Sequence, residues 1–94
     1  MRTSTGNKYL IYYEEDAVYE DLPALPKTIR LRVKEAIKER LSDFPDKAGK
    51  PLLGELKGRR RLRVGDYRIV YQVSKLEHIV MIIGIKHREY IYED

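Results

Sequence analysis

The stretch Arg59–Val73, RRRLRVGDYRIVYQV, sets five arginines within ten positions directly against an apolar, β-branched and tyrosine-rich run. A helix would spread that charge around its circumference. Val64, Ile69, Val70, Tyr71 and Val73 favour a pleated strand instead, and Gly65-Asp66 stands where a tight turn belongs. Two strands joined by that turn are expected, about Arg60–Val64 and Tyr67–Ser74. Side chains alternate across a strand with period two. Leu62 and Val64 then point one way, and Arg59, Arg61 and Arg63 the other. On the next strand Tyr67, Ile69, Tyr71 and Val73 form the apolar set, with Arg68 and Gln72 opposite. If the two apolar sets share a covered face, Arg59, Arg61, Arg63 and Arg68 converge on the open one. Strands lie about 4.8 Å apart, so Arg59, Arg61 and Arg68 are able to surround one phosphate. Like charges at that distance repel, and the crowding is costly unless an anion relieves it.

Outward from this stretch, a turn around Lys75-Leu76-Glu77 leads to a third strand, about His78–Ile85, completing an antiparallel meander. Upstream, Tyr9 to Tyr13 reads as a first strand. Glu14-Glu15-Asp16 then places acids where a helix start favours negative charge, and a short helix runs to about Asp21. Leu22-Pro23-Ala24-Leu25-Pro26 breaks it. A second helix follows with Ile29, Val33, Ile37 and Leu41 at i, i+4 spacing, while Lys27, Arg30, Lys34, Glu35, Lys38 and Glu39 form its solvated face. Lys47 to Gly58 reads as a loop. The expected fold is α+β, in the order βααβββ, with both helices packed on one face of a small sheet and a single domain over residues 1–94.

Composition narrows the chemistry. There is no cysteine, and His78 and His87 are the only histidines, too few for a convincing zinc set. Gly54 and Gly58 lack the spacing of a phosphate loop, so no metal and no small-molecule cofactor is expected. No segment approaches the roughly 20 apolar residues of a membrane span, and a cytoplasmic protein without membrane contact is expected. The net charge of +4 arises entirely after residue 48, where ten Lys/Arg face six Asp/Glu. A basic stripe on an otherwise balanced chain is the footprint of a polyanion partner; the plainer alternative is a solvated strand face.

These residues resemble the RelE/ParE toxins of bacterial and archaeal type II toxin–antitoxin systems. The resemblance runs from YLIYYEEDAVYEDLPALPKTIRLRVKEAIKERL through RRRLRVGDYRIVYQV to the tail His87-Arg88-Glu89-Tyr90-Ile91-Tyr92. The tail is similar to the RelE branch, whose members cut messenger RNA in the ribosomal decoding site, rather than to the gyrase-poisoning ParE branch. By resemblance the branch's basic positions fall on Arg59, Arg61, Arg68 and Arg88 and its tyrosine on Tyr92. The resemblance also implies a cognate acidic, RelB-like antitoxin, with the ribosome and its mRNA as target.

Metal-free RNA cleavage needs a base near the 2′-OH, cations around the phosphorane-like oxygens and an acid near the leaving 5′-oxygen, giving a 2′,3′-cyclic phosphate and a 5′-OH. Arginine is a fixed clamp and a poor base, so the base is Tyr92 or His87. Neighbouring guanidinium groups favour the tyrosine phenolate. The expected catalytic set is therefore Arg61, Arg68 and Arg88 with Tyr92 as base and His87 in reserve; Lys57, Arg59, Arg60, Arg63 and Lys86 are expected to hold the surrounding RNA. Two other readings stay open: a ParE-like gyrase inhibitor that does no chemistry, and a non-catalytic basic module binding RNA or only its antitoxin.

Overall fold

The computed structural model describes residues 8–90. Strand β1 (Leu10–Tyr13) leads into helix α1 (residues 15–24), whose middle turn Ala17–Asp21 is wound π-fashion. Helix α2 (Lys27–Leu41) and the single-turn α3 (Pro45–Ala48) come next. They precede β2 (Lys50–Pro51), a 3₁₀ turn at Gly54–Leu56, β3 (Arg60–Val64), β4 (Tyr67–Ser74), β5 (Ile79–His87) and a closing 3₁₀ turn at Arg88–Tyr90. The strands form one sheet in the order β1-β5-β4-β3-β2; β1 runs parallel to β5 and every other pair is antiparallel.

The meander and α2 lie where the sequence pattern puts them, but α1 runs on through Leu22–Ala24, the stretch expected to break it, and ends only where Leu25 turns extended before Pro26; the sheet, moreover, has five strands and is mixed. The stretch read as a loop contains α3, β2 and a 3₁₀ turn, and β5 begins one residue later and ends two residues further on than expected. A strand as short as Lys50-Pro51 shows no alternation, and its proline is tolerated because β2 is an edge. The longer β5 follows from β4, whose Tyr67 and Arg68 pair with His87 and Lys86.

One face of the sheet carries the core. Val33, Ile37 and Leu41 of α2 are completely buried against Leu62, Ile69, Tyr71, Val80 and Ile82. Each such side chain contributes about 1.5–3 kcal/mol by leaving water. Arg30 does not lie on a solvated face. Its Nε and Nη2 donate to the carbonyls of Leu22 and Leu25, both at 3.1 Å, adding to the Leu25 N–H that Leu22 O already accepts and capping the C-terminal end of α1.

Gly65 and Gly49 are required for different reasons. Gly65, at φ +59°, opens the two-residue β3–β4 turn, and Asp66 keeps a negative φ, the II′ pattern that matches strand twist. At Gly49 the reason is space, since a Cβ there would stand 2.3 Å from the Arg61 carbonyl oxygen and 2.7 Å from the Tyr71 hydroxyl. The Tyr71 hydroxyl donates to Pro45 O at 2.7 Å, and Arg60 Nη2 donates to Gly49 O at 2.6 Å, so this crowding straps α3 and β2 onto the sheet.

Gly49→Ala is expected to cost about 1–3 kcal/mol or more, read from urea unfolding. Burial raises the Tyr13 and Tyr71 phenols above their ordinary value of 10.0, against the opposing pull of Arg60 on Tyr71. The folded state thus holds these protons more tightly, and the stability they contribute is complete below pH 10 and lost as pH rises past it. Urea midpoints followed from about pH 9 to about pH 11 should fall, and Tyr71→Phe should lessen the fall.

Candidate nucleic-acid interface

The register between β3 and β4 sorts the side chains. Leu62 faces Ile69, Val64 faces Tyr67 and Arg60 faces Tyr71, all on the helix-covered side. On the open side Arg61 stands opposite Val70, and Arg63 stands opposite Arg68. On its other flank Arg68 is paired with Lys86 of β5. Cβ atoms of directly opposed residues are about 4.5–5.5 Å apart, and like charges in such pairs destabilise a sheet. Arg68 therefore occupies the middle of a three-strand row of cationic positions. Its Nη1 is buried and has no hydrogen-bond acceptor among the described residues. A buried donor left unpaired costs about 1–3 kcal/mol, more when charged, and Arg60 Nε on the core side is unpaired in the same way.

Arg88 comes to the same end of the sheet. Its N–H donates to Asp66 O at 2.8 Å, and its Nε lies 4.0 Å from the Asp66 carboxylate, an exposed pair of little energetic weight. Arg61 is half-buried on the open face. Arg59 stands one residue ahead of β3, fixed through its backbone to Leu52 and Leu56, and Lys57 is exposed on the turn before it. Tyr92 lies outside the described residues.

Three candidates are not brought to the arginine row. Arg60 has even parity with Leu62 and turns to the core side, where it bonds Gly49 O. The Lys86 ammonium is drawn round the edge of β5 to Asp21, with Nζ 3.0 Å from Oδ1. His87 shares the face of Tyr67, against whose ring it packs edge-on at 5.2 Å and 88°. Its Nδ1 accepts the Glu89 N–H at 3.2 Å, which leaves Nε2 to carry the proton of the neutral ring. The sequence pattern missed Asp21. This carboxylate is 7% exposed, and its Oδ2 accepts the Ile85 N–H at 3.0 Å. Its partners lie more than sixty residues away, beyond any local signal.

The open face also has an apolar half. Leu10 and Tyr12 project from β1 at 59% and 48% exposure, beside the half-buried Ile79 and Met81 of β5. Among the described residues no group of three His, Asp or Glu side chains is placed to hold a metal ion. No helix there is long and apolar enough to cross a membrane.

A small sheet clad by helices on one face and lined with opposed arginines on the other defines a small α+β protein with one strongly cationic sheet face. Comparison with known proteins gives the class a family. Residues 15–92 match the family described as the ParE toxin of type II toxin–antitoxin systems. The chain is 39% identical over 72 residues to Toxin RelE of Mycobacterium tuberculosis, a match spanning 77% of this chain and 74% of that one. It is equally 39% identical over 72 residues to Toxin RelG of the same organism, spanning 77% and 83%. The toxin–antitoxin complex RelBE2 from M. tuberculosis superposes with a TM-score of 0.81 and 34% identity, over 86% of this chain and 92% of the other. The isolated E. coli RelE toxin superposes at 0.68 and 25% identity, over 84% and 83%. The chain belongs to the RelE/ParE superfamily of type II toxins, as the motifs of its sequence imply.

The opposed cations make a stability prediction that needs no activity. Arg68→Met removes both the repulsion and the unpaired donor, and should raise the unfolding free energy by about 0.5–2 kcal/mol. Inorganic phosphate should raise the melting temperature of the wild type and not of the variant, as measured by calorimetry.

Proposed function

We propose that this toxin is a ribosome-dependent mRNA endonuclease that works without a metal. The observation that carries the reading is the Arg68 guanidinium, opposed by Arg63, half-buried and holding an unsatisfied Nη1 on the open face. Arg61 lies on the same face, and Arg88 is tied by the β3–β4 turn to the same end of the sheet. In this reading the 2′-OH of the message loses its proton to Tyr92 and its oxygen bonds to the adjacent phosphorus. The bond to the 5′-oxygen breaks, and that oxygen, steadied by Arg88, takes a proton from water, leaving a 2′,3′-cyclic phosphate and a 5′-OH, while Tyr92 returns its proton to solvent.

Arg61 and Arg68 hold the charge that builds on the phosphorus-bound oxygens, and Arg88 stands beside the leaving oxygen. Lys57, Arg59 and Arg63 flank the strand. His87, on the opposite side of the sheet, takes no part in proton transfer. One open face has few means of orienting a flexible strand; the ribosome supplies that orientation, which lowers the barrier by several kcal/mol.

The partner in this reading is an acidic amphipathic antitoxin. Leu10 and Tyr12 lie on the same face but toward the other end of the sheet, since β1 pairs with β5 at Ile79–Ile82 and Arg68 pairs at Lys86, so an extended segment spanning both would meet hydrophobic and charged contacts and cover the site. The setting is the cytoplasm, where message and ribosome meet.

The experiment is a single-turnover assay on ribosomes programmed with mRNA. Wild-type protein should cut the message and leave cyclic phosphate ends, whereas intact message overturns the reading. Arg68→Ala and Arg88→Ala should each slow the saturated step by about 10²–10³, the value of one lost oxyanion-type donor, with smaller losses in binding. Tyr92→Phe should slow the same step while leaving a stacking ring in place. If every variant weakens binding by a similar modest factor and none changes the saturated rate, the arginines are an electrostatic footprint only. Growth arrest with intact message and an induced DNA damage response would point to a gyrase poison instead.

A further inference from the structure

Asp21 is a buried carboxylate that the proposed chemistry does not use. It is delivered by the π-wound turn Ala17–Asp21 to the edge of β5, beyond the point where β1 stops pairing at Ile82. There Oδ2 accepts the Ile85 N–H at 3.0 Å and Oδ1 accepts the Lys86 ammonium at 3.0 Å. A neutral amide would satisfy the backbone N–H equally well. Among the described residues, Lys86 is the cation paired with the Asp21 charge.

The register shows what that charge accomplishes. Lys86 is the cross-strand partner of Arg68, so strand parity directs it to the open face beside the arginine row. With its ammonium held at Asp21 it is withdrawn from that row, although its side chain stays 52% exposed. Lysine is a mobile, strongly hydrated point charge, whereas arginine presents a planar fork matched to phosphate oxygens. We propose that Asp21 is a positioning residue that sets the cation inventory of the open face: by holding Lys86 at the edge of β5 it leaves the phosphate to be met by arginines alone. The inference rests on the open face being an RNA-binding surface and does not depend on cleavage.

Salt dependence of binding to a short oligouridylate tests it. The slope of log K against log salt reports the phosphates neutralised, about 0.7 per contact on a single strand. Asp21→Asn keeps an acceptor for Ile85 and frees Lys86, so the slope should steepen by about 0.7. Adding Lys86→Gln to that variant should restore the wild-type slope, and Lys86→Gln alone should leave it unchanged. Asp16→Asn, at an exposed acid of the same helix, adds equal net charge without freeing a lysine and should also leave the slope unchanged. The inference is overturned if Asp21→Asn is no steeper than wild type, if Asp16→Asn steepens it equally, or if Lys86→Gln alone flattens it by about 0.7. The Lys86→Gln arm stands even if Asp21→Asn does not fold. A wild-type slope near zero would instead remove the RNA-binding face on which the inference rests, whereas message left uncut on ribosomes with the slopes as stated would overturn the enzyme reading alone.

Discussion

The pairing of Leu62 with Ile69 is the contact on which the rest of the structure depends. Both side chains are wholly buried under α2, and their register is locked three residues away by the Gly65-Asp66 turn. Because strand side chains alternate, a slip by one residue would drive Arg63 and Arg68 into the core and expose Leu62 and Ile69 to water. Hydrophobic burial on one side thus fixes charge on the other. The molecule does not choose its arginine row separately from its core; the two are one decision made by the β3–β4 ladder.

That coupling explains why a guanidinium group can be held where it repels its neighbours. Arg63 and Arg68 face each other with no carboxylate between them in the register, and the nearest acid of the β3–β4 turn, Asp66, is engaged with Arg88. Elsewhere the same chain places its acids opposite its cations, as with Asp46 and Lys75 at 3.1 Å or Asp21 and Lys86. On this surface the completely buried Leu62, Ile69 and Tyr71 anchor the strands that carry the imbalance.

The parts legible in the sequence were those governed by short periods. Alternation over Arg59–Val73 gave the two strands, their turn and the shared face of Arg61, Arg63 and Arg68. The i, i+4 spacing of Val33, Ile37 and Leu41 gave the buried stripe of α2. What escaped was set by partners distant in the chain. Nothing near β1 announces that it lies parallel to β5, and nothing near Asp21 announces Ile85 and Lys86. Arg60 and His87 share the composition of the basic cluster, but strand parity sends both to the other side, which alternation within β3 already implies for Arg60 and which for His87 is visible only once the β4–β5 ladder is drawn. Arg30 reads as one more solvated cation until the carbonyls of Leu22 and Leu25 are found within its reach.

The parallel pairing of β1 with β5 has a consequence for synthesis. Leu10 is among the first residues of the sheet to leave the ribosome, yet its partner Ile79 is among the last. The loop that must close between them spans most of the chain, and such non-local pairing is slow and exposed to misassembly. Until β5 has emerged, β4 lacks the neighbour that places Lys86 and Arg88 at the arginine end of the sheet. A nascent chain therefore carries the arginines without the surface they form. The completed cationic face comes into being only once β5 has been made and has paired with β4, after the helices and the earlier strands have already left the ribosome.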